Sequence, residues 1–313
     1  MKIDIFTHIL PKKYLATYSQ KNKAVLQTIE AKNRAIIDID VRLRLMDRYP
    51  DVVHVLTIAQ PALESLVTAK EAVELARIAN DELAEIVDSY PDKFVGAVAC
   101  LPMNDIDAAL EEADRAITQL GFKGVQIYTT INGVTLDEPK LKPLYEKLAY
   151  YDLPIWIHPC TNEPLGDIGG GILNWPFETA SAMMRLVSSG IFLEYPDIKF
   201  ITHHCGSMIP YFEKRIKWLM PERLGIGHPV RKPEEHFCKF YNDTAVYGST
   251  AALMCGYAFF GADHLLFGTD APLGPKFGLT GETIASIERM YIPDKEKEKI
   301  FMQNAVNMLK LAI

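Results

Sequence analysis

The chain has 313 residues, 49% hydrophobic and 23% charged, which is enough to bury a large core and contains no apolar run of the ~20 residues that a membrane span needs. Its net charge is −7 with both signs scattered, so no basic run marks a nucleic-acid or membrane-surface binder. The five cysteines, Cys100, Cys160, Cys205, Cys238 and Cys255, are widely spaced without a CxxC, which reads as reduced thiols in a cytoplasmic protein.

Lys2 to Phe6 predicts a first strand ending at Thr7-His8, with Asp4 interrupting any export-like apolar run. Residues 9–36 are mixed and polar, expected as a small insertion after strand 1, over a mouth or at a subunit contact. Asp38 to Arg48 predicts a helix with Val41, Leu45 and Met46 inward, and Asp51 to Ile58 a Val-rich second strand. From Thr68 to Tyr90 the residues Ala72, Leu75, Ala76, Ala79, Leu83, Ile86 and Val87 share one helical face, and Pro91 stops the helix. Phe94 to Cys100 is a third strand, Ile106 to Leu120 a helix, and Val125 to Tyr128 a fourth strand. A helix from Leu141 to Tyr150 leads into strand five, Leu153 to Ile157, which ends in His158.

Gly169-Gly-Gly171 is not a phosphate loop, because no Gly-Lys-Ser/Thr follows; it is expected as a lid or as the entry to a helix from Glu178 to Ser189. Strand six, Ile198 to Thr202, ends at His203-His204. A helix from Met208 to Leu219, a loop from Pro221 to Pro233, strand seven from Phe240 to Val246 and a helix from Ala251 to Phe260 follow. Strand eight, His264 to Phe267, ends in Gly-Thr-Asp270. Helices from Ile284 to Tyr291 and from Lys295 to Leu311 close the chain, the last capped by Asp294.

Strands alternating with helices need parallel crossovers. Eight such units predict one α/β domain over residues 1–313, a (β/α)8 barrel, with an open doubly wound sheet as the alternative. The barrel ranks first because the chemistry-bearing side chains end strands one, five, six and eight, which converge only if the sheet closes. His8, His158 and Asp270 are first candidates for metal ligands, since imidazoles plus one carboxylate suit zinc or another divalent transition metal. His204 is either a fourth ligand or an acid/base beside the ion. His203 is expected to face the opposite side as a packed core histidine. Cys160 and Cys205 read as small apolar fillers, and His54, His228, His236 and His264 as structural or surface residues. Arg42 and Arg215 are candidate clamps for a carboxylate.

The chain resembles the amidohydrolase superfamily branch that contains aminocarboxymuconate-semialdehyde decarboxylase and the hydroxybenzoate decarboxylases. The likeness is carried by Ile3-Asp-Ile-Phe-Thr-His-Ile-Leu-Pro11, Val41-Arg-Leu-Arg-Leu-Met46, Phe94-Val-Gly-Ala-Val98, Gly124-Val-Gln-Ile127, Ile157-His-Pro159, Glu178-Thr179, His204-Cys-Gly-Ser-Met-Ile-Pro210 and Gly268-Thr-Asp-Ala-Pro272. It implies a distorted (β/α)8 barrel and one divalent metal, zinc first and manganese second, with His8, His158 and Asp270 as ligands and His204 as the acid/base. It also implies a homodimer, in which Arg42 pairs the substrate carboxylate and Arg215 reaches the neighbouring subunit's site. The chain departs from the family at Phe6, where a His or Glu ligand is usual. The implied reaction is non-oxidative decarboxylation of a small unsaturated or aromatic carboxylic acid. The alternatives are hydrolysis of an amide, ester or lactone on the same scaffold, and a barrel that only binds. Gln126 and Tyr128 stand where a binuclear hydrolase would place a carboxylated lysine.

Overall fold

The computed structural model describes residues 1–19, 33–160, 166, 170–275, 277 and 279–313. Strand β1 (Lys2–Ile9) pairs in parallel with β2 (Val52–Ile58), and β2 with β3 (Phe94–Ala97). Past Val98 the chain resumes as β4 (Ala99–Cys100), parallel to β5 (Val125–Tyr128). An antiparallel hairpin, β6 (Thr130–Ile131) and β7 (Val134–Thr135), follows β5 without joining the main sheet. The parallel order continues through β8 (Ile155–His158), β9 (Phe200–Thr202), β10 (Tyr241–Asp243) and β11 (Leu265–Leu266). The ring closes back on β1: Ile5 N–H donates to Phe267 O at 3.0 Å, Asp270 N–H to Phe6 O at 3.0 Å and His8 N–H to Ala271 O at 2.7 Å. This is the expected (β/α)8 barrel.

Two apolar layers hold it. Ile3, Ile5, Phe6, Val53, Val55, Val98, Trp156, Ile201, Ala245 and Leu266 fill the interior, joined by Met308 and Leu309 from the chain's end. The outer layer packs the strands against helices α1 (Lys12–Ser19), α2 (Ile39–Met46), α3 (Ala69–Ser89), α4 (Ile106–Thr118), α5 (Lys142–Tyr151), α6 (Gly170–Ser188), α7 (Glu213–Leu224), α8 (Thr250–Phe260) and α9 (Thr280–Glu288). In α3 the face read from the sequence is the buried one: Ala72, Leu75, Ala76, Ala79 and Leu83 are inside. Among the described residues no helix is long and apolar enough to cross a membrane.

A bulge in β1 sets the phase of the site. Asp4 pairs with His54 and Thr7 with Leu56, so three steps on β1 face two on β2. An extra residue reverses which side chains point inward. Ile3 and Ile5 face the interior below the bulge, and Phe6 and His8 above it.

Several boundaries differ from expectation for local reasons. Helix α6 begins at Gly170, not Glu178, so Gly170 and Gly171 are the entry to the helix and Pro176 sits inside it; Gly169 lies outside the described residues. Helix α7 begins at Glu213, not Met208, because His204, Cys205, Gly206 and Ser207 all adopt left-handed backbone, with φ of 57°, 55°, 69° and 57°. It also runs past Pro221 to Leu224, since a proline this near a helix end forfeits little more than one hydrogen bond. Asp294 is the first helical residue, with Pro293 at the cap position. Of the segment 9–36, α1 packs on the outer helix α3, where Glu82 accepts from the N–H groups of Lys13 at 2.8 Å and Tyr14 at 2.7 Å; residues 20–32 lie outside the described residues.

Candidate active site

Three histidines meet above the apolar interior because each follows an inward-facing residue by two. His158 follows Trp156, whose Nε1–H donates to Ile5 O at 3.1 Å across the barrel. His203 follows Ile201, and His8 follows Phe6 beyond the bulge. The ring centres of His8 and His158 are 5.0 Å apart, and those of His158 and His203 5.3 Å. Phe6 sits among them, stacked on His203 at 3.7 Å and 18° and edge-on to His8 at 4.6 Å.

His203 therefore does not face away from the group, as strict alternation with His204 predicts. The strand ends at Thr202, His203 keeps its inward phase, and the left-handed backbone at His204 carries that ring to the same side. Asp270, also left-handed at φ 68°, brings Oδ1 to 3.1 Å from His8 Nε2.

Hydrogen bonds fix which nitrogen of each ring carries the proton. Thr57 Oγ1 contacts both Thr7 O, at 3.0 Å, and His8 Nδ1, at 2.8 Å. A carbonyl only accepts, so the hydroxyl proton goes to Thr7 and His8 Nδ1–H must donate to Thr57. His158 Nδ1 lies 2.6 Å from Pro159 O and must donate there as well, which makes the 3.3 Å approach of Gln60 Nε2 a contact between two donors. His203 Nδ1–H donates to Asp243 Oδ2 at 2.6 Å. In its neutral form each imidazole then has an Nε2 lone pair to offer. His8 Nε2 and His203 Nε2 are buried without a hydrogen-bond partner, the 3.1 Å approach of Asp270 lacking hydrogen-bond geometry.

A lone pair and a carboxylate oxygen facing each other in a buried space call for a cation between them. An oxygen partner on Nδ1 is the usual support of a metal-binding histidine. On donor chemistry His8, His158 and Asp270 fit a divalent ion. Among the described residues no three such side chains converge on one point as placed; the donors stand in pairs.

His158, His204 and Asp270 line a cavity of about 20 Å³, with Phe6, Gln60, Pro159, Trp175 and Leu273. Trp175 lies parallel to the His204 ring at 6.5 Å and 15°. Tyr247 Oη donates to Asp270 Oδ2 at 3.2 Å. Burial, with help from Asp270, pushes the Tyr247 phenol up, so it remains a donor. Burial, reinforced by the other rings, holds the His158 and His203 pKa values well below 6.5 and keeps both neutral. Burial raises Asp243 to about 7, against which the N–H groups of His204 and Ala245, both at 2.9 Å, stabilise its charge.

The remaining candidates divide. Arg42 does not line the cavity: it is fully buried, donating to the His8 carbonyl and approaching His54 Nδ1 at 3.0 Å. Its guanidinium braces β1 from behind. Arg215 is exposed on α7, beside a groove lined by Phe177, Met184, Met208 and Leu219. None of the five cysteines forms a disulfide among the described residues. Cys205 fills space against Gly256, whereas Cys160 Sγ makes polar contacts with Thr129 at 3.1 Å and Thr130 at 3.2 Å, unlike the filler expected. Thr57, Gln60, Trp175, Asp243 and Tyr247 went unread in the sequence; only the strand-end positions of Thr57 and Asp243 could have signalled them.

A family model for amidohydrolases matches residues 3–311. The gamma-resorcylate decarboxylase of a Polaromonas species is 32% identical over 306 residues, covering 90% of each chain. A crystal structure of 2,6-dihydroxybenzoate decarboxylase complexed with 2,6-dihydroxybenzoate superposes with a TM-score of 0.85 at 28% identity, covering 99% of each chain. A dihydroxybenzoic acid decarboxylase from Polaromonas with bound manganese and the inhibitor 2-nitroresorcinol gives a TM-score of 0.83 at 28% identity, covering 99% of this chain and 96% of that one.

Proposed function

This chain belongs to the amidohydrolase family, and on that premise we propose that it is a metal-dependent, non-oxidative decarboxylase, a carbon–carbon lyase acting on a small aromatic or unsaturated carboxylic acid. The observation that carries the reading is the approach of His8 Nε2 to Asp270 Oδ1 at 3.1 Å, beside a cavity lined by Asp270, His158 and His204. The relatives favour decarboxylation over the hydrolysis alternative.

His8, His158 and Asp270 would hold the ion, with His204 close enough to serve as a further ligand or as the acid/base. When bound, the ion would supply Lewis acidity to the substrate's carboxylate or an adjacent hydroxyl. An imidazole-rich set suits zinc, which we place first, beside the manganese of the relative.

The proton movement belongs to His204. Its Nδ1 is buried without a hydrogen-bond partner, and its ring lines the cavity. It would deliver a proton to the carbon that bears the carboxylate. The C–C bond then breaks, its electron pair restores the unsaturated system, and CO2 leaves; a proton from water recharges the imidazole. Trp175 offers a flat wall against which a planar acid could lie, and Tyr247 would keep Asp270 oriented.

Arg42 acts in this reading through the His8 backbone and does not touch substrate. Arg215 would meet substrate only from a second copy. A homodimer is supported by the exposed apolar surface around it, where Trp218 is 68% exposed next to Tyr211, Phe212 and Leu219. We further propose that residues 1–313 act as one domain and work in the cytoplasm, as five widely spaced cysteines with no disulfide among the described residues suggest.

The test is a substrate screen of purified protein with hydroxybenzoates and muconate semialdehydes, reading CO2 release. Decarboxylation of at least one is the expected result. Ester or lactone cleavage with no CO2 from any acid would replace the reading with the hydrolase.

A further inference from the structure

A histidine that only fills space is a poor choice for a barrel interior, because both of its nitrogens then need partners. His203 is fully buried and has a partner for one. Asp243 holds Nδ1–H, and Asp243 is itself fixed by the backbone N–H groups of His204 and Ala245. Nε2 is left without a hydrogen-bond partner, on a ring whose centre lies 5.3 Å from that of His158. Two imidazoles sharing a tetrahedral ion at about 2.0–2.1 Å have ring centres roughly 5 Å apart. His203 and His158 are 5.3 Å apart, much as His8 and His158 are at 5.0 Å. A carboxylate behind Nδ1 orients a metal-binding imidazole and raises its basicity. Phe6 occupies the inward position two residues before His8, at the centre of the group, and offers no donor.

We propose that His203, oriented by Asp243, is itself a ligand of the divalent metal, supplying the donor that Phe6 does not and completing a set with His8, His158 and Asp270. This rests on the metal reading above and assigns to His203 a role distinct from that of His204. Asp243 is then a positioning residue.

The test is made on the full-length chain loaded with one equivalent of Zn²⁺. X-ray absorption at the zinc edge of His204→Gln protein should count three imidazoles, and a count of two overturns the proposal. This arm works whether or not a change at the buried His203 is tolerated. Folded His203→Gln protein should bind Zn²⁺ about 10–100-fold more weakly by chelator competition, the range for loss of a supporting or ligating group; wild-type affinity overturns the proposal while leaving the metal reading intact. Asp243→Asn should weaken binding in the same direction but keep three imidazoles. His158→Ala serves as the control for the parent reading. If it binds Zn²⁺ as tightly as wild type, or if wild type takes up no ion, the metal reading falls and this proposal with it.

Discussion

Thr57→Val isolates the device that sets the His8 proton. Thr57 is fully buried, and its hydroxyl lies between Thr7 O at 3.0 Å and His8 Nδ1 at 2.8 Å. Valine keeps the shape and removes both bonds, leaving a carbonyl and an imidazole N–H without partners. Each costs about 1–3 kcal/mol when buried, so metal-free protein should lose about 2–6 kcal/mol in urea unfolding. The same change frees His8 to move its proton to Nε2 and, after a small rotation of the ring or the carboxylate, to donate to Asp270 Oδ1, which stands 3.1 Å away without hydrogen-bond geometry in the wild-type arrangement. Two metal donors would then satisfy each other, and an ion would have to break that bond first. Loss of such a supporting bond lowers metal affinity about 10–100-fold, or about 1.4–2.7 kcal/mol. Calorimetric titration with Zn²⁺ and with Mn²⁺ against a competing chelator reads this directly, and Thr57→Ser should recover most of it. Wild-type affinity in a destabilised Thr57→Val protein would refute the tautomer argument. Unchanged stability would refute the hydroxyl geometry itself.

Gly206→Ala should cost about 2–5 kcal/mol in urea unfolding, combining about 1–2 kcal/mol for left-handed backbone with about 1–3 kcal/mol for overpacking, because an added Cβ would stand 2.6 Å from the Phe260 ring; a loss of a few tenths would contradict the turn's geometry. His54 is held neutral by burial and by Arg42, with its pKa well below the usual 6.5, so its contribution to stability is complete above pH 6.5 and is lost as the pH falls towards the depressed value. Wild type should therefore lose about 1.4 kcal/mol more per pH unit below 6.5 than His54→Asn, measured by urea unfolding at pH 7, 6 and 5; parallel curves would exclude the argument. If the proposed homodimer uses this face, wild type should sediment as a dimer and Trp218→Glu as a monomer in analytical ultracentrifugation, with the melting profile of the barrel close to wild type; an unchanged sedimentation coefficient, or a monomeric wild type, would remove this face as a subunit contact.

The barrel was legible because its signals are local and repeated: apolar runs at strand length, helical faces such as Ala72 to Leu83, and chemistry-bearing residues at the carboxyl ends of strands. His8, His158, His204 and Asp270 were singled out that way, and the structure brings them to the same end of the barrel. What escaped depends on departures from regular backbone. Alternation assigned His203 to the far side, and only the left-handed turn after Thr202 shows why both neighbours face inward. The bulge between Asp4 and Thr7 likewise decides that Phe6 shares a face with His8, and one extra residue in a strand leaves no compositional trace. Arg42 was a candidate clamp because a guanidinium suits a carboxylate and because the family resemblance implies one there; its complete enclosure against the His8 carbonyl is a tertiary fact. Thr57, Gln60 and Tyr247 are ordinary residues made useful by their distances to His8, His158 and Asp270.

The turn from His204 to Ser207 bears on how this protein would respond to selection for heat resistance. Three of its four residues are not glycine yet hold positive φ, at roughly 1–2 kcal/mol apiece, against a net folding free energy that for most domains is about 5–15 kcal/mol. Glycine at Ser207 is the cheapest relief, since that side chain makes one long 3.3 Å contact with the His203 carbonyl. The same substitution two positions earlier at Cys205 would open a void against Gly256, and at His204 it would remove the proposed acid. Thermal adaptation and turnover would thus be negotiated within four consecutive codons, with only the last of them open to compromise.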